Sequence, residues 1–180
     1  MAFSTRVDDP AGASRPFDRG RDGLVPSGGA AILFLEELDA ARQRGARILG
    51  EVIGYAMTSD GYHITEPSSV GGERCMREAM NQAGIGPSAV DYINAHATST
   101  PAGDLAEARA IHAVFGPAGP PVSSTKSMTG HECWMAGASE LIYSLLMMRD
   151  GFVAPNINFT GFSDDMPRIN ICGSGSNRFI

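Results

Sequence analysis

Short apolar runs alternate with helical segments along most of this chain, and this alternation limits the possible folds more than any other feature. Glycines or polar loops separate consecutive segments, as is usual where strands and helices change over. The order β-α-β-α-β-α-β-α is typical of an α/β layered fold in which helices cover one sheet. Strands are predicted over residues 30–36, 47–56, 90–95 and 120–123. Helices are predicted over residues 37–44, 69–83, 105–115 and 132–149.

The composition indicates one globular domain and argues against two classes of partner. Hydrophobic residues make up 43% of the 180 residues, which is enough for a sizeable core. The formal net charge is −6 and no basic run exists, so nucleic acid is not expected as a main partner. The longest mostly apolar stretch, residues 134–148, is shorter than the roughly 20 residues of a membrane span, so no span is predicted.

Cysteine and histidine usage favours a reducing compartment and no metal. The three cysteines are Cys75, Cys133 and Cys172, and their wide spacing predicts reduced thiols in the cytoplasm. No signal peptide is visible. The four histidines are scattered, without the spacing of metal ligands. Residues 1–28 are predicted to form a loop-rich lead-in, either folded back through ion pairs or simply solvated, and residues 172–180 a flexible tail.

The most informative stretch is residues 123–139, a polar loop that runs directly into an apolar helix. It contains Lys126, the only lysine of the chain, whose ammonium is compact and whose pKa the protein can shift. His131 lies at the mouth of the helix, where the macrodipole favours a neutral imidazole. Cys133 follows in the first turn, a position where thiol pKa values fall. The stretch is therefore a candidate site.

Further candidates follow the third predicted strand. His96 ends that strand and Lys126 follows the fourth, so both should lie at the carboxyl edge of the sheet, together with His131. Thr98 and Thr100 add hydroxyl groups just beyond His96. The next helix begins with Asp104 and Glu107, which are one turn apart on one face and could anchor Lys126.

Each of these residues also has a structural interpretation. A single histidine at a strand end is often a hydrogen-bonded structural residue, and acids in a first helical turn complement the helix dipole. Cys133 would be a nucleophile by its position alone. However, residues i and i+2 do not face each other on a helix, and the flanking Trp134 and Met135 predict that this segment is buried, where thiols are usually inert.

Two motifs resemble the β-ketoacyl-[acyl-carrier-protein] synthases. Residues 94–107, Asn-Ala-His-Ala-Thr-Ser-Thr-Pro-Ala-Gly-Asp-Leu-Ala-Glu, resemble their first histidine motif. Residues 124–131, Ser-Thr-Lys-Ser-Met-Thr-Gly-His, resemble their Lys/His motif. The likeness extends to about residue 171 and is closest to the elongating, synthase I-like enzymes. It implies that residues 1–180 are a partial domain, the C-terminal half of a thiolase-like fold.

The resemblance also implies a reaction, a decarboxylative Claisen condensation of a malonyl with an acyl thioester in fatty acid or polyketide biosynthesis. His96 and His131 would hydrogen-bond the malonyl thioester carbonyl and stabilise the enolate. Lys126, with Glu107 as its partner and Asp104 in support, would tune the site. Thr98 and Thr100 would bind the phosphopantetheine arm of the acyl carrier protein. No separate cofactor is expected, because the arm arrives on the carrier.

Several positions depart from the family pattern. None of the three cysteines corresponds to the family's nucleophile, and the glycine-rich segment that supplies an oxyanion-hole amide has no counterpart. Ala97 stands where glycine is usual, and residues 132–135, Glu-Cys-Trp-Met, replace smaller residues. The chain is therefore expected to be inactive alone and to associate as a homodimer or with a chain that carries the missing half. The alternative is a non-catalytic subunit that binds a carrier protein or a partner.

Overall fold

The structure is a computed structural model, and it describes residues 2–63 and 66–173. Within these residues the regular elements are mostly helical. The α-helices are α1 (Leu38–Gln43), α2 (Ser69–Ala83), α3 (Pro101–Phe115), α4 (Lys126–Thr129) and α5 (Ala136–Asp150). The strands are β1 (Ile93–Asn94) and β2 (Val122–Ser123), and short 3-10 turns cover Pro10–Gly12, Pro87–Ala89 and Cys133–Met135.

The boundaries of α2 follow directly from its sequence. Ser68 is the N-cap, and its hydroxyl accepts a hydrogen bond from the Val70 amide. Gly84 ends the helix in the left-handed conformation with φ +68°, which glycine adopts without steric cost. The helix covers the predicted residues 69–83, because both ends carry side-chain or backbone signals that act locally.

The sheet is small and parallel. Ile93 of β1 pairs with Val122 of β2, and Asn94 pairs with Ser123. A further bridge joins Val122 to Ile171, which brings the extended residues near 170 alongside β2. Because β1 and β2 are parallel, the loops that follow them leave from the same edge, and that edge carries the predicted site residues.

The other two predicted strands are not formed. Residues 30–36 and 47–56 pair with no strand in the part of the chain that the structure describes. Their apolar side chains face solvent, with Ile32 92% and Phe34 83% exposed. The backbone amides and carbonyls of a strand bond to a neighbouring strand, and among the described residues neither segment has a neighbouring strand. The predicted four-stranded sheet is therefore reduced to two strands.

The prediction for the last helix was also partly wrong. We expected residues 132–149 to be helical and buried all round, but α5 begins at Ala136, and Leu141, Leu146 and Met148 are exposed. Residues 132–135 form a turn instead, in which Trp134 is fully exposed. The other described elements therefore leave part of the apolar surface of α5 uncovered.

The core lies between α3, the sheet and the lead-in. Phe17, in the lead-in, is fully buried, and its backbone amide donates to the Asp104 carboxylate over 2.8 Å. Asp18 is 1% exposed and lies 3.5 Å from the Arg15 guanidinium. This part of the lead-in is therefore folded back onto the domain. The main buried cluster consists of Phe17, Ala95, Ala97, Ala108, Ile111, Val122, Met166 and Ile169.

Two further predictions concern membranes and the tail. Among the described residues no helix is long and apolar enough to cross a bilayer. Of the predicted tail, Cys172 is buried and Gly173 follows it, and the remaining residues 174–180 lie outside the described part of the chain.

Candidate functional site

The two parallel strands bring His96, Lys126 and His131 together. The Lys126 ammonium lies 3.4 Å from His96 Nδ1. The imidazole rings of His96 and His131 stand edge to face, with centroids 5.3 Å apart and planes at 86°. Residues that are 35 positions apart in sequence thus form one cluster, because the loops after β1 and β2 leave the same edge of the sheet.

His131 is held by the segment that ends the lead-in. Its amide donates to Val25 O over 2.7 Å, and its carbonyl accepts from the Ser27 amide over 2.9 Å. The Cys133 amide lies 3.2 Å from His131 Nδ1 and donates to it. Nδ1 is thereby an acceptor, so the neutral ring carries its proton on Nε2.

Glu107 holds the loop that contains His96. Its two carboxylate oxygens accept from the backbone amides of His96, over 2.8 Å, and Ala97, over 2.7 Å. The acid thus fixes the direction in which the chain leaves β1. The acidic first turn of α3 orients His96 through its backbone.

The expected ion pair between Lys126 and Glu107 is not the one that forms. Lys126, 1% exposed, pairs with Glu140 of α5, whose side chain is 13% exposed. Glu107 contributes only a more distant charge, since both of its oxygens are used by backbone amides. Sequence reasoning missed Glu140, although a carboxylate in an otherwise apolar stretch of α5 was a signal that it needs a buried cation.

Asp104 does not anchor Lys126 either. It is fully buried and accepts from the amides of Phe17, over 2.8 Å, and Thr100, over 3.2 Å. Burial raises its pKa to about 7, and the bond from the Phe17 amide opposes that rise. The oxygens of Asp104 point toward the lead-in and the start of α3, so the expected contact with Lys126 does not form. Asp104 therefore fastens the lead-in to the domain.

The environment keeps both imidazoles neutral. Desolvation by the surrounding protein, and then the charge of Lys126 and the ring of His131, lower the pKa of His96 to about 4. Part of His96 remains exposed, and the 3.4 Å contact with Lys126 acts in the same direction as desolvation. For His131, desolvation and Lys126 lower the pKa below its usual value, while Glu132 opposes them. At neutral pH both rings are hydrogen-bond donors without charge.

Glu140 and the two threonines complete the surroundings. Burial raises the pKa of Glu140, and the bond from Lys126 opposes this rise. Thr98 and Thr100 lie just before α3 with their hydroxyl oxygens 3.1 Å apart and both partly buried. Thr100 is the N-cap of α3 but makes no side-chain cap bond, and its hydroxyl shares a hydrogen bond with the Thr98 hydroxyl instead.

The cysteines are spread over three environments. Cys75 is partly buried and its thiol donates to Ala56 O over 3.2 Å, and Cys172 is buried. Cys133 was expected to be buried but is exposed, since it lies in the turn before α5. Its sulfur contacts the backbone carbonyl of His131 at 3.6 Å. Among the described residues no group of three His, Cys, Asp or Glu side chains could hold a metal ion.

This arrangement defines a class of site. Two neutral imidazoles next to a buried ammonium can donate hydrogen bonds to one oxygen and stabilise negative charge that develops on it. Such a site suits an enzyme that forms an enolate or oxyanion from a thioester or another carbonyl compound. The fold in which it lies is a partial, thiolase-like α/β fold.

Comparison with known families identifies the chain. The family described as "Beta-ketoacyl synthase, C-terminal domain" matches residues 49–160. The chain therefore belongs to the β-ketoacyl synthase family and contains the C-terminal portion of such a protein.

Curated relatives agree with this assignment. The chain is 48% identical over 171 residues to 3-oxoacyl-[acyl-carrier-protein] synthase 1 of Haemophilus influenzae, covering 94% of this chain and 41% of the relative. It is 46% identical over 178 residues to the synthase 1 of Escherichia coli K12, covering 98% and 43%. A synthase 2 from Coxiella burnetii is 52% identical over 161 residues, covering 87% and 39%. The chain thus spans about two fifths of the length of these relatives.

Solved structures show the same fold. A β-ketoacyl synthase from Burkholderia phymatum superposes with a TM-score of 0.93 at 41% identity, covering 99% of this chain and 43% of that one. A second structure contains a type II PKS acyl-carrier protein in complex with its ketosynthase bound to the hexaketide. It superposes with a TM-score of 0.87 at 38% identity, covering 94% of this chain and 43% of that one.

Proposed function

We propose that this chain supplies the malonyl-activating part of a β-ketoacyl-[acyl-carrier-protein] synthase. His96 and His131 donate hydrogen bonds to the thioester carbonyl of a malonyl group carried by an acyl carrier protein. The observation that carries the proposal is the pair of neutral imidazoles, 5.3 Å apart, beside the buried Lys126. Each donor in such a site contributes about 2.7–4 kcal/mol of transition-state stabilisation.

The chemistry divides into two steps. In the first, the bond between the malonyl carboxylate and the α-carbon breaks, CO₂ leaves, and the electron pair forms an enolate whose oxygen accepts the two imidazole bonds. In the second, the α-carbon attacks an acyl thioester, a carbon–carbon bond forms, and the thiolate of that thioester leaves and takes a proton. The product is a 3-oxoacyl group on the carrier protein.

Lys126 and Glu140 act as a pair in this scheme. Desolvation, together with the charge of the ammonium, keeps the pKa of both imidazoles low, so that they stay neutral donors. Glu140 balances the charge of an ammonium that is only 1% exposed. Thr98 and Thr100, whose hydroxyls are hydrogen-bonded just before α3, are the proposed contacts for the phosphopantetheine arm. The proposed reaction uses no other cofactor.

The nucleophile for the second step comes from outside this chain. The thiol of Cys75 is partly buried, the thiol of Cys172 is buried, and the thiol of Cys133 contacts the backbone carbonyl of His131. A covalent acyl intermediate needs an activated thiol next to its base. We therefore infer that the chain alone releases CO₂ from malonyl-carrier protein, that the enolate then takes a proton to leave an acetyl group on the carrier, and that no condensation occurs. Because the cysteines are few and widely spaced in the sequence, we place this function in the reducing cytoplasm.

A decarboxylation assay tests the proposal. The purified chain is mixed with malonyl-carrier protein and the release of CO₂ is measured, with His96→Ala and His131→Ala as variants. We expect release to fall by 100-fold or more in each variant, on the order of the effect of one lost oxyanion donor. The exposed Arg74→Ala variant is the control and should match the wild type. Release that is unchanged without either histidine would overturn the proposal.

A non-catalytic role as a partner subunit is the second candidate. The observation that favours it is the apolar surface of residues 30–36 and 47–56, where Phe34 is 83% and Val52 63% exposed. Such a surface is typical of an interaction site, so we propose that the chain forms a homodimer or joins a chain that bears the cysteine. Binding of malonyl-carrier protein without release of CO₂ would favour this role. Condensation by the chain alone would contradict the inference that the nucleophile lies outside this chain.

A further inference from the structure

A buried carboxylate lies directly after His131, where the resemblance leads one to expect a smaller residue. Glu132 is 9% exposed and is tied to α5 through both of its oxygens. The Tyr143 hydroxyl donates to Oε1 over 3.1 Å, and the Ser139 hydroxyl contacts Oε2. Because Ser139 and Tyr143 are four residues apart, they present both hydroxyls on the same face of the helix. Glu132 therefore fastens the turn of residues 131–135 to α5.

This turn needs an anchor. Cys133 has φ +53°, a left-handed conformation that a residue with a Cβ rarely adopts and that persists only when its surroundings hold it. The same residue provides the amide that donates to His131 Nδ1 over 3.2 Å. If the turn relaxed, this bond would be lost, and the proton of the neutral ring could move from Nε2 to Nδ1.

Glu132 also brings a charge to a site that contains one cation. The groups that face His131 are the Lys126 ammonium, the His96 ring and Glu132, while Glu140 faces Lys126, and Tyr143 faces Glu132. Desolvation and then Lys126 lower the pKa of His131, and Glu132 opposes them. The carboxylate thus acts against Lys126 at this imidazole.

We propose that Glu132 is a positioning residue for His131. It anchors the turn of residues 131–135 to α5, which keeps the proton of the His131 ring on Nε2. Its negative charge also offsets the positive charge of Lys126 at this ring. This inference rests on the proposed role of His131 as a donor. It concerns the state of the ring itself, so it can be tested without turnover.

The charge is tested by Glu132→Gln, which removes the charge and keeps a side chain that can bond both hydroxyls. The measurement is the NMR titration of the His131 ring in the complete chain. We expect its midpoint to fall by on the order of half a pH unit, the effect of one partly screened charge. Glu78→Gln removes the same charge from an exposed position on α2 and should leave the midpoint unchanged. An unchanged midpoint in Glu132→Gln would overturn the electrostatic part.

The anchor is tested by Tyr143→Phe, which keeps the charge of Glu132 and removes one donor. The ring ¹⁵N shifts of His131 report the tautomer, and we expect a lower fraction of the Nε2–H form than in the wild type. Tyr62→Phe, on an exposed loop, is the matched control. A tautomer fraction equal to that of the wild type would overturn the positioning part. A wild-type chain whose His131 ring is neutral and protonated on Nε2 but which releases no CO₂ would count against the proposed function instead.

Discussion

Single residues at this site owe their chemistry to what surrounds them. Lys126 is 1% exposed, and burial of an ammonium costs several kcal/mol unless an anion and further bonds compensate it. Glu140 provides that anion, and the nearby His96 Nδ1 accepts from the same ammonium. Desolvation, and then the charge of this one cation, lower the pKa of both imidazoles. The sequence identified these three basic residues, but their pairing depends on α5.

The pKa of His96 predicts how stability depends on pH. Its folded value of about 4 lies below the ordinary 6.5, so between these values the unfolded chain binds more protons than the folded one. Stability that His96 contributes is therefore complete above pH 6.5 and is lost as the pH falls toward 4. Urea denaturation across this range should show a smaller loss in His96→Gln than in the wild type. Equal losses in the two proteins would contradict the lowered pKa.

At the scale of elements, local signals set the helices, and partners set the strands. Both caps of α2 are encoded in its own residues, Ser68 and Gly84, so its bounds follow from the sequence. Residues 30–36 have an equally clear apolar pattern, yet they form no strand among the described residues. Apolar periodicity shows that a segment can be buried in a sheet, but the hydrogen bonds of a strand come from another segment.

The turn before His131 depends on one glycine. Gly130 has φ +72° and ψ −172°, a region that is nearly specific to glycine, and a Cβ there would lie 2.8 Å from Val25 O. Gly130→Ala should lower the free energy of unfolding by about 1–3 kcal/mol, measured by urea denaturation. It should also displace His131 from the Val25 segment.

Gly137→Ala is the matched control for this substitution. Gly137 lies within α5, and a Cβ there would meet no atom within 4 Å. Because alanine favours a helix over glycine, this variant should gain up to about 1 kcal/mol. A Gly130→Ala protein as stable as the wild type would show that the turn tolerates a side chain.

At the scale of the whole molecule, the described residues leave many large apolar side chains in solvent. Ile32, Phe34 and Leu35 are 92%, 83% and 73% exposed, and residues of α5 add to the same kind of surface. Contiguous surface of this kind is a site of association. The chain also spans about two fifths of the length of its relatives.

Substitution of this surface should change the oligomeric state. Ile32→Asp places a charge within the apolar segment, so we expect the apparent mass in light scattering to fall toward that of a monomer. Val7→Asp is the control, because Val7 is 82% exposed but lies in the polar lead-in. A mass that changes equally in both variants, or in neither, would show that residues 30–36 do not mediate association.

The sequence by itself determined the helices with local caps, the family, and the group of residues at the carboxyl edge of the sheet. These depend on spacing, on turn residues and on motifs that are contiguous in the chain, as in residues 94–107 and 124–131. Parallel strands then bring His96, Lys126 and His131 to one edge whatever the details of packing.

Only the tertiary structure decided which acid serves which residue and which strands exist. Glu107 and Glu140 both lie within reach of Lys126 in principle, but Glu107 satisfies two backbone amides, and Glu140 is left to pair with the ammonium. The turn of residues 132–135 likewise places Cys133 and Trp134 in solvent, where periodicity predicted a buried helix. The physical reason is common to these cases. Buried polar groups and strand backbones are satisfied by partners distant in sequence, and local patterns do not specify such partners.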